Sequence, residues 1–272
     1  MKLISLVENT SCRADCGCIH GLSLYLETPL HKILFDMGPN ALFLENAQRL
    51  GVDLAAVDIA FLSHGHYDHA GGLELFCKRN EKASIYLHSL AFGQYYVSEE
   101  GEYVYIGVDP HAKKYTGRFV TAGGRIDEEL TLFDGVDTHD YLSAACAALL
   151  EKDETGYHSD PFRHEQNLIL SCEGKKVLLA GCAHNGIVNI LRRAEDIVGG
   201  ELDWVFSGFH LTNPSTGRDE PRELIEAVGR ELMARHTRFV TGHCTGQGPF
   251  ALLKDMMGNQ LEAMPAGSVF TF

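Results

Sequence analysis

The chain has 272 residues, a formal net charge of −14 at pH 7, and 45% hydrophobic and 22% charged residues. This composition is that of an ordinary globular protein, and the acidic balance argues against a general nucleic-acid-binding protein, which normally presents a basic face. Eight cysteines are too few for a disulfide scaffold, no apolar run approaches the roughly 18 residues that span a membrane, and the opening apolar run is too short for a secretory signal, so we expect a cytoplasmic protein.

The start of the chain predicts three strands and a helix. Leu3–Val7 has the composition of a strand, and the segments Leu22–Leu26 and Lys32–Asp36 flank Thr28-Pro29 as a hairpin. Apolar residues then recur at helical spacing from Leu42 to Leu50, and Gly51 ends the pattern. Asp36 is interpreted either as a turn or capping residue, or as an acid that orients a metal-bound histidine.

Three cysteines lie in the loop between the first two strands. Cys12, Cys16 and Cys18 are separated by three residues and one residue. A structural zinc site generally needs four ligands in pairs, and no second pair is visible. We favour a loop of free thiols, with a second metal site or a redox role as the alternative.

Three histidines and a carboxylate follow the apolar run 57–62 within six residues. They are His64, His66, Asp68 and His69. Small residues follow them and let the backbone turn closely. Neutral imidazole and carboxylate oxygen are ligands for zinc, and also for iron or manganese. The stretch therefore predicts a site for a divalent metal, with zinc first.

The middle of the chain has a weaker pattern. A short strand is expected at Ser84–Leu87 and a small helical run near Ser143–Leu150, and tyrosines alternate with glycine and charge in the segment 90–165. A long irregular insertion of this kind often lines a substrate pocket. It can equally be a segment that only varies between relatives, and both interpretations stay open.

The second half alternates strands and helices. Asn167–Cys172 and Lys176–Ala180 flank a Gly-containing turn as a hairpin, and Pro221 is expected to open a helix. The remaining expected elements are a helix over 187–198, strands over 204–206 and 237–240, a final helix and a last strand over 268–270.

Histidines also follow three of these later strands. His184, His210 and His243 each come after an apolar strand and beside glycine. Strand ends in layered α/β folds are where loops converge on a ligand. The pattern therefore predicts one site assembled from several strand ends.

The motifs resemble those of the metallo-β-lactamase superfamily. The stretch Ser63-His64-Gly65-His66-Tyr67-Asp68-His69-Ala70-Gly71-Gly72-Leu73 is similar to its metal-binding signature. Other motifs resemble the dihydropterin–ribofuranosylaminobenzene phosphate synthase-like branch, and together they run from residue 6 to 246. They are 6–9, 20–23, 33–38, 181–189, 208–211 and 243–246.

The resemblance implies a four-layer αββα sandwich, and we expect residues 1–272 to form one domain with the segment 90–165 as a pocket-lining insertion. It implies that His64, His66 and a later histidine hold one metal, while Asp68, His69 and the last histidine hold a second. We favour His184 over His164 for the intermediate ligand, because His184 leaves a strand and enters a helix, and His243 is the last histidine.

One residue departs from the ligand pattern of many superfamily hydrolases, and one histidine is not part of that pattern. Cys182 stands where these enzymes carry an aspartate that bridges both metals. A thiolate could ligate zinc, although packing is the interpretation that we favour, and the departure leaves open whether one or two ions bind. His210 is assigned to substrate contact or to support of a ligand, against a purely structural role.

The leading function is metal-dependent hydrolysis of an ester, amide or phosphoester in a small molecule that could carry a phosphate. Metal ions lower the pKa of water and supply a nucleophile near neutral pH. Asp68 is either a ligand or the base that orients the water. The branch implies transfer instead, in which a pterin-methyl diphosphate condenses with an arylamine. A non-catalytic metal-binding sensor is the third alternative.

Overall fold

Eighteen β-strands and six α-helices form the structure, a computed structural model that describes residues 1–272. The strands are, in chain order, β1 (Lys2–Val7), β2 (Ser23–Glu27), β3 (Lys32–Phe35), β4 (Ile59–Phe61), β5 (Ser84–Tyr86), β6 (Tyr95–Glu99), β7 (Glu102–Tyr105), β8 (Phe119–Val120), β9 (Gly124–Arg125), β10 (Leu130–Phe133), β11 (Leu149–Asp153), β12 (Gly156–Ser159), β13 (Asn167–Cys172), β14 (Lys175–Leu179), β15 (Trp204–Gly208), β16 (Arg238–Gly242), β17 (Leu261–Ala263) and β18 (Val269–Thr271). The helices are α1 (Leu42–Arg49), α2 (Tyr67–Ala70), α3 (Leu73–Arg79), α4 (Ile187–Val198), α5 (Arg222–Met233) and α6 (Gln247–Met257).

Two seven-stranded sheets pack face to face. Their strand orders are β18-β1-β2-β3-β4-β5-β8 and β17-β16-β15-β14-β13-β10-β9. One buried cluster joins them, since it contains Leu24 and Phe61 from the first sheet and Leu168 and Phe206 from the second. The alternation of side chains along each strand places these apolar residues on the inner faces.

Helices cover the outer face of each sheet. Phe43 of α1 and Phe76 of α3 pack with Leu34 of the first sheet. Leu191 of α4 and Val228 of α5 belong to a separate cluster on the second sheet. The order helix, sheet, sheet, helix confirms the predicted αββα sandwich.

Most expected elements are present, and one is shorter than expected. The hairpin β13–β14 and the helix α4 have the expected positions. The small helical run expected near 143–150 is a 3-10 helix over Ala144–Ala148, and it is shorter than expected because Leu149 already begins strand β11. The small residues of this segment do not form a periodic apolar stripe that a full helix could bury.

The segment 90–165 is more regular than its sequence indicates. Four of its strands form a third, antiparallel sheet in the order β12-β11-β6-β7. Strand β7 is exposed along its whole length, so its residues lack the alternation of buried and exposed positions that reveals a strand in a sequence. The assignment of the whole chain to one domain stays a prediction.

Parallel pairing brings several loops to one edge of the sandwich. Strands β14, β15 and β16 are parallel neighbours in which Leu179, Phe206 and Val240 lie side by side. Strands β3 and β4 are likewise parallel. The loops that follow these strands therefore leave the sheets at the same edge. No helix of the structure is both long and apolar enough to cross a lipid bilayer.

Candidate metal centre

The strand ends deliver their side chains to this edge through strained turns. Asp36, Ala183, His210 and His243 all have positive φ angles, between 47° and 58°. Such angles are uncommon for residues other than glycine and cluster at functional sites. These angles let the backbone turn sharply after each strand and point a side chain toward the candidate metal centre.

His64, His66 and His184 form the first cluster. Their ligating nitrogens lie within 4.8 Å of one another, and all three side chains are buried. The Nε2 atoms of His64 and His184 are 3.3 Å apart, and the Nε2 of His66 has no hydrogen-bond partner. Burial lowers the pKa of His66 to about 3 and holds the pKa values of His64 and His184 well below the usual range. The cluster thus presents neutral imidazoles, the form that binds metals.

Asp68, His69, Cys182 and His243 form the second cluster. Their ligating atoms also lie within 4.8 Å of one another in a buried position. The Nε2 of His69 lies 3.2 Å from the Nε2 of His243 and 3.1 Å from the Sγ of Cys182. The Oδ2 of Asp68 lies 3.1 Å from the Nε2 of His243. Imidazole, carboxylate and thiol at this spacing match the ligand chemistry of zinc.

Partners at Nδ1 fix the tautomers of the second cluster. His69 donates from Nδ1 to the Oδ2 of Asp36 over 2.6 Å, and His243 donates from Nδ1 to the Oδ1 of Asn9 over 3.0 Å. Each ring then turns the lone pair of Nε2 toward the other. Two facing lone pairs need a positive charge between or beside them, so this part of the site fits a cation.

The same arrangement recurs at the first cluster. His64 donates from Nδ1 to the hydroxyl of Ser63 over 2.9 Å, and that hydroxyl donates to Asp36 over 2.7 Å. The Nε2 of His64 is left as a lone pair that faces His184. A single carboxylate, Asp36, therefore supports one histidine of each cluster.

The second cluster also attracts positive charge. Burial opposes protonation of His69, but Asp68 and Asp36 outweigh it and raise its pKa to about 9. Burial likewise opposes ionisation of Asp68, but His69, His20 and His243 together hold its pKa well below the usual range. Because the carboxylate is charged and buried, the site favours a bound cation.

His164, the alternative candidate for the intermediate ligand, lies with His66 and Asp160 and not with His64 and His184. Its Nδ1 accepts the backbone N–H of Gly65 over 2.9 Å, and its Nε2 donates to Asp160 over 2.9 Å. Both ring nitrogens are occupied, so His164 braces the loop that carries the histidines. The nitrogen of His184, by contrast, lies with those of His64 and His66.

Cys182 is in contact with the ligand groups, and packing and ligation both stay predictions for its thiol. Its sulfur lies 3.1 Å from the Nε2 of His69 and in the same cluster as Asp68. Burial, followed by the neighbouring Cys244, raises the pKa of the Cys182 thiol well above its usual value. A bound metal would reverse that preference, because coordination deprotonates a thiol.

His210 lies beside the first cluster with no polar partner. Its ring centroid is 4.4 Å from that of His184, and neither of its ring nitrogens has a hydrogen-bond partner. The side chain is buried and lines the cavity above the two clusters. A buried and unpartnered imidazole facing a cavity is suited to contact a substrate.

A cavity of about 520 Å³ opens above both clusters. Its floor includes His66, Asp68, Cys182, His184 and His243, and part of its wall comes from strands β6, β7 and β11 of the third sheet. The volume is typical of a small-molecule site. The cavity therefore gives the histidine clusters access to a small substrate.

Sequence reasoning missed several residues that support the site. Glu8 accepts the backbone N–H of His243 over 2.6 Å, and Glu165 accepts that of His184 over 2.7 Å. His20 lies 3.4 Å from Asp68. These contacts join residues far apart in the chain. Glu8 and His20 lie in the motifs 6–9 and 20–23, but no role could be assigned to either from the sequence. Cys12, Cys16 and Cys18 are free thiols that belong to none of the ligand groups.

A family model described as the metallo-beta-lactamase superfamily matches residues 16–204. A protein of Methanocaldococcus jannaschii named uncharacterized protein MJ0448 is 28% identical over 211 residues, which cover 77% of this chain and 79% of that protein. The protein of the same organism named 7,8-dihydropterin-6-methyl-4-(beta-D-ribofuranosyl)-aminobenzene-5'-phosphate synthase is 26% identical over 274 residues, which cover 93% of this chain and 90% of that protein.

A solved structure is also similar along its whole length. It is described as Tm1679, a metal-dependent hydrolase of the beta-lactamase superfamily. The two chains share 26% sequence identity with a TM-score of 0.84, and the match covers 100% of this chain and 99% of the other.

Proposed function

The chain belongs to the metallo-β-lactamase superfamily, and on that premise we propose that it is a metal-dependent hydrolase acting on an ester, amide or phosphoester bond of a small molecule. The observation that carries the proposal is the meeting of two ligand clusters at the floor of one cavity. The similarity to a structure described as a metal-dependent hydrolase supports the same reaction class.

The two clusters support an assignment of the metal ligands. His64, His66 and His184 would hold one divalent ion, and the second cluster of Asp68, His69, Cys182 and His243 would hold another. The sulfur and nitrogen ligands of the second cluster favour zinc over manganese. When bound, such ions lower the pKa of water and polarise the bond to be cleaved.

The protein's own residues position these ligands and the substrate. Asp36 holds His69 in one tautomer and, through Ser63, does the same for His64. His210 has free ring nitrogens on the cavity and would hydrogen-bond a polar atom of the substrate next to the cleaved bond. Asp68, charged and buried, would serve as a ligand and accept a hydrogen bond from His20.

A second candidate is group transfer, which the name of one relative favours. In that reaction a pterin-methyl diphosphate would condense with an arylamine, and the same site would help the diphosphate to leave. The two candidates differ in product. The hydrolase releases an acid or alcohol from a single substrate, whereas the transferase forms product only when both substrates are present.

Metal analysis and a substrate screen test the proposal. We expect purified protein to contain up to two equivalents of divalent metal, and His66→Ala and His184→Ala to lower that content. The exposed His236 provides a matched control as His236→Ala. Unchanged metal in both site variants would refute the ligand set.

The screen uses carboxyl esters, lactones, β-lactams, phosphomonoesters and phosphodiesters with the metal-loaded protein. We expect turnover of at least one class, and its loss in His66→Ala but not in His236→Ala. A metal-loaded protein that hydrolyses none of them, yet condenses the pterin diphosphate with an arylamine, would establish the transferase instead.

A further inference from the structure

The cavity above the metal clusters has one polar and one apolar side. The floor is formed by histidines, Asp68 and cysteine sulfurs, whereas Val97, Val104, Ile106 and Leu149 line the opposite wall. Val97 and Leu149 are buried in strands β6 and β11. A substrate that reaches the floor must therefore place an apolar part against this wall.

No lysine or arginine lines this cavity. Proteins that bind phosphate groups generally supply arginine, lysine or the backbone N–H groups of a helix N-terminus. The lining contains two carboxylates, which are Asp68 on the floor and Glu99 at the end of strand β6. Apart from its imidazoles and any bound metal, the cavity thus offers an anionic substrate no cationic partner.

The carboxylate of Glu99 is not used by the fold. It forms no hydrogen bond or ion pair with another side chain, although the residue is half-buried. A smaller cavity adjoins the first and shares Glu99, Val104 and Ser215 with it, and its lining adds Glu100 and Glu102. The mouth of the site is therefore negative, and an unpaired carboxylate there favours a cation and repels an anion.

Buried nitrogens without a hydrogen-bond partner line the same cavity. The Nε2 of His66 and both ring nitrogens of His210 have no hydrogen-bond partner, and both residues are more than nine-tenths buried. Unsatisfied buried nitrogens are costly unless a ligand supplies their partner. Glu99 lines the same cavity as these nitrogens.

On the basis of the hydrolase function proposed above, we propose that the substrates are uncharged or cationic small molecules with an apolar part, and that Glu99 selects against anionic and phosphorylated ones. The apolar part lies against Val97, Val104 and Leu149. A positive group on the substrate, where present, lies next to the carboxylate of Glu99.

Three 4-nitrophenyl esters of similar length test the selection, since they share one leaving group. They are the neutral pentanoate, the cationic 4-(trimethylammonio)butanoate and the anionic glutarate monoester. We expect kcat/KM of the metal-loaded protein to be lowest for the anionic ester. Glu99→Gln should lower kcat/KM for the cationic ester and raise it for the anionic ester, each about fivefold, the factor that one pair of unit charges in contact supplies in water. The neutral ester should be unaffected.

Glu81→Gln is the matched control, because Glu81 is exposed and lines neither of the two cavities. It should leave all three rates as they are. A wild-type protein that prefers the anionic ester to the neutral one would overturn the proposal, and so would unchanged ratios in Glu99→Gln.

A binding measurement separates this proposal from the hydrolase function. Phenethyltrimethylammonium and its uncharged isostere (3,3-dimethylbutyl)benzene do not ligate metals and can be compared by ligand-observed NMR. We expect Glu99→Gln to weaken binding of the ammonium about fivefold and not that of the isostere. If no ester is hydrolysed but this difference holds, the hydrolase function fails and the selection stands. Equal binding of the ammonium by both proteins refutes the selection.

Discussion

Asp36 and His69 are joined by a hydrogen bond of 2.6 Å between Oδ2 and Nδ1, and both side chains are fully buried. Asp36 also accepts the backbone N–H and the hydroxyl of Ser63, each over 2.7 Å. The carboxylate thus accepts three hydrogen bonds and links the two ligand clusters. A carboxylate behind a ligating histidine fixes its tautomer and raises its basicity.

Asp36→Asn should lower metal affinity at the second cluster roughly 10- to 100-fold. An asparagine keeps the size of the side chain, but its amide NH₂ cannot accept a hydrogen bond from His69 or Ser63. The measurement is a titration of metal-free protein with zinc in the presence of a competing chelator. Asp255 is exposed and makes no ion pair, so Asp255→Asn provides the control. Equal zinc affinities of Asp36→Asn and Asp255→Asn would show that Asp36 does not support the ligands.

Much of the site could be predicted from the sequence, because its residues stand next to strand ends. His64, His66 and Asp68 lie within one stretch, and His184 and His243 follow recognisable apolar strands. Strand ends at the same edge converge, so the pattern alone brought these side chains together. Which clusters they form required the parallel pairing of β14, β15 and β16.

The sequence could not show which ring nitrogens are already occupied. His164 precedes a strand and is, by sequence, an alternative to His184 as a ligand, and both of its nitrogens are hydrogen-bonded in the structure. Asn9 and His243 are 234 positions apart and meet only because their loops share the same edge of the sandwich. Contacts between residues so far apart in the chain depend on the whole fold and cannot be recognised from a local sequence pattern.

Cys182→Ser should lower affinity for zinc and cadmium more than affinity for manganese. The thiol of Cys182 lies in the second cluster. A soft sulfur ligand binds zinc and cadmium better than the harder manganese ion, so its replacement by a hydroxyl weakens manganese binding least. Competition titrations with each metal measure the change, and the ultraviolet charge-transfer band between cadmium and thiolate should disappear. Cys18 is exposed and outside the cluster, so Cys18→Ser should change neither result. A cadmium band that persists in Cys182→Ser would show that this sulfur is not a ligand.

His31, which lies outside the metal clusters, should make a pH-dependent contribution to the free energy of unfolding. Its Nδ1 and Nε2 lie 2.8 Å from carboxylate oxygens of Asp58 and Asp127. Burial lowers its pKa, but the hydrogen bonds to Asp58 and Asp127 outweigh burial and raise the pKa above 6.5. The folded state therefore binds a proton more tightly than the unfolded state. This contribution is fully present below about pH 6.5 and is lost as the pH rises through the folded-state pKa.

Urea unfolding of wild type and His31→Gln in the presence of a chelator measures this contribution. We expect the wild-type advantage in the free energy of unfolding to be largest near about pH 6 and to shrink toward about pH 9. The chelator removes the linked binding of metal, which has its own pH dependence. The exposed His236 supplies the reference variant His236→Gln. A wild-type advantage that grows with pH would contradict the assigned direction of the pKa shift.

Gly181→Ala should weaken metal binding although residue 181 carries no ligand. A Cβ atom at this position would overlap the hydroxyl of Ser63, which is hydrogen-bonded to both Asp36 and His64. Since Asp36 and His64 are both fully buried, the hydroxyl of Ser63 cannot move without breaking one of these hydrogen bonds. Overpacking of this kind costs about 1–3 kcal/mol of stability. Denaturant unfolding of the metal-free protein and zinc titration should both report the loss. Gly200→Ala is the matched control, because nothing lies within 4 Å of its added Cβ. Were Gly181→Ala to bind zinc as tightly as Gly200→Ala, the bond between Ser63 and His64 would not be needed to hold the ligand in place.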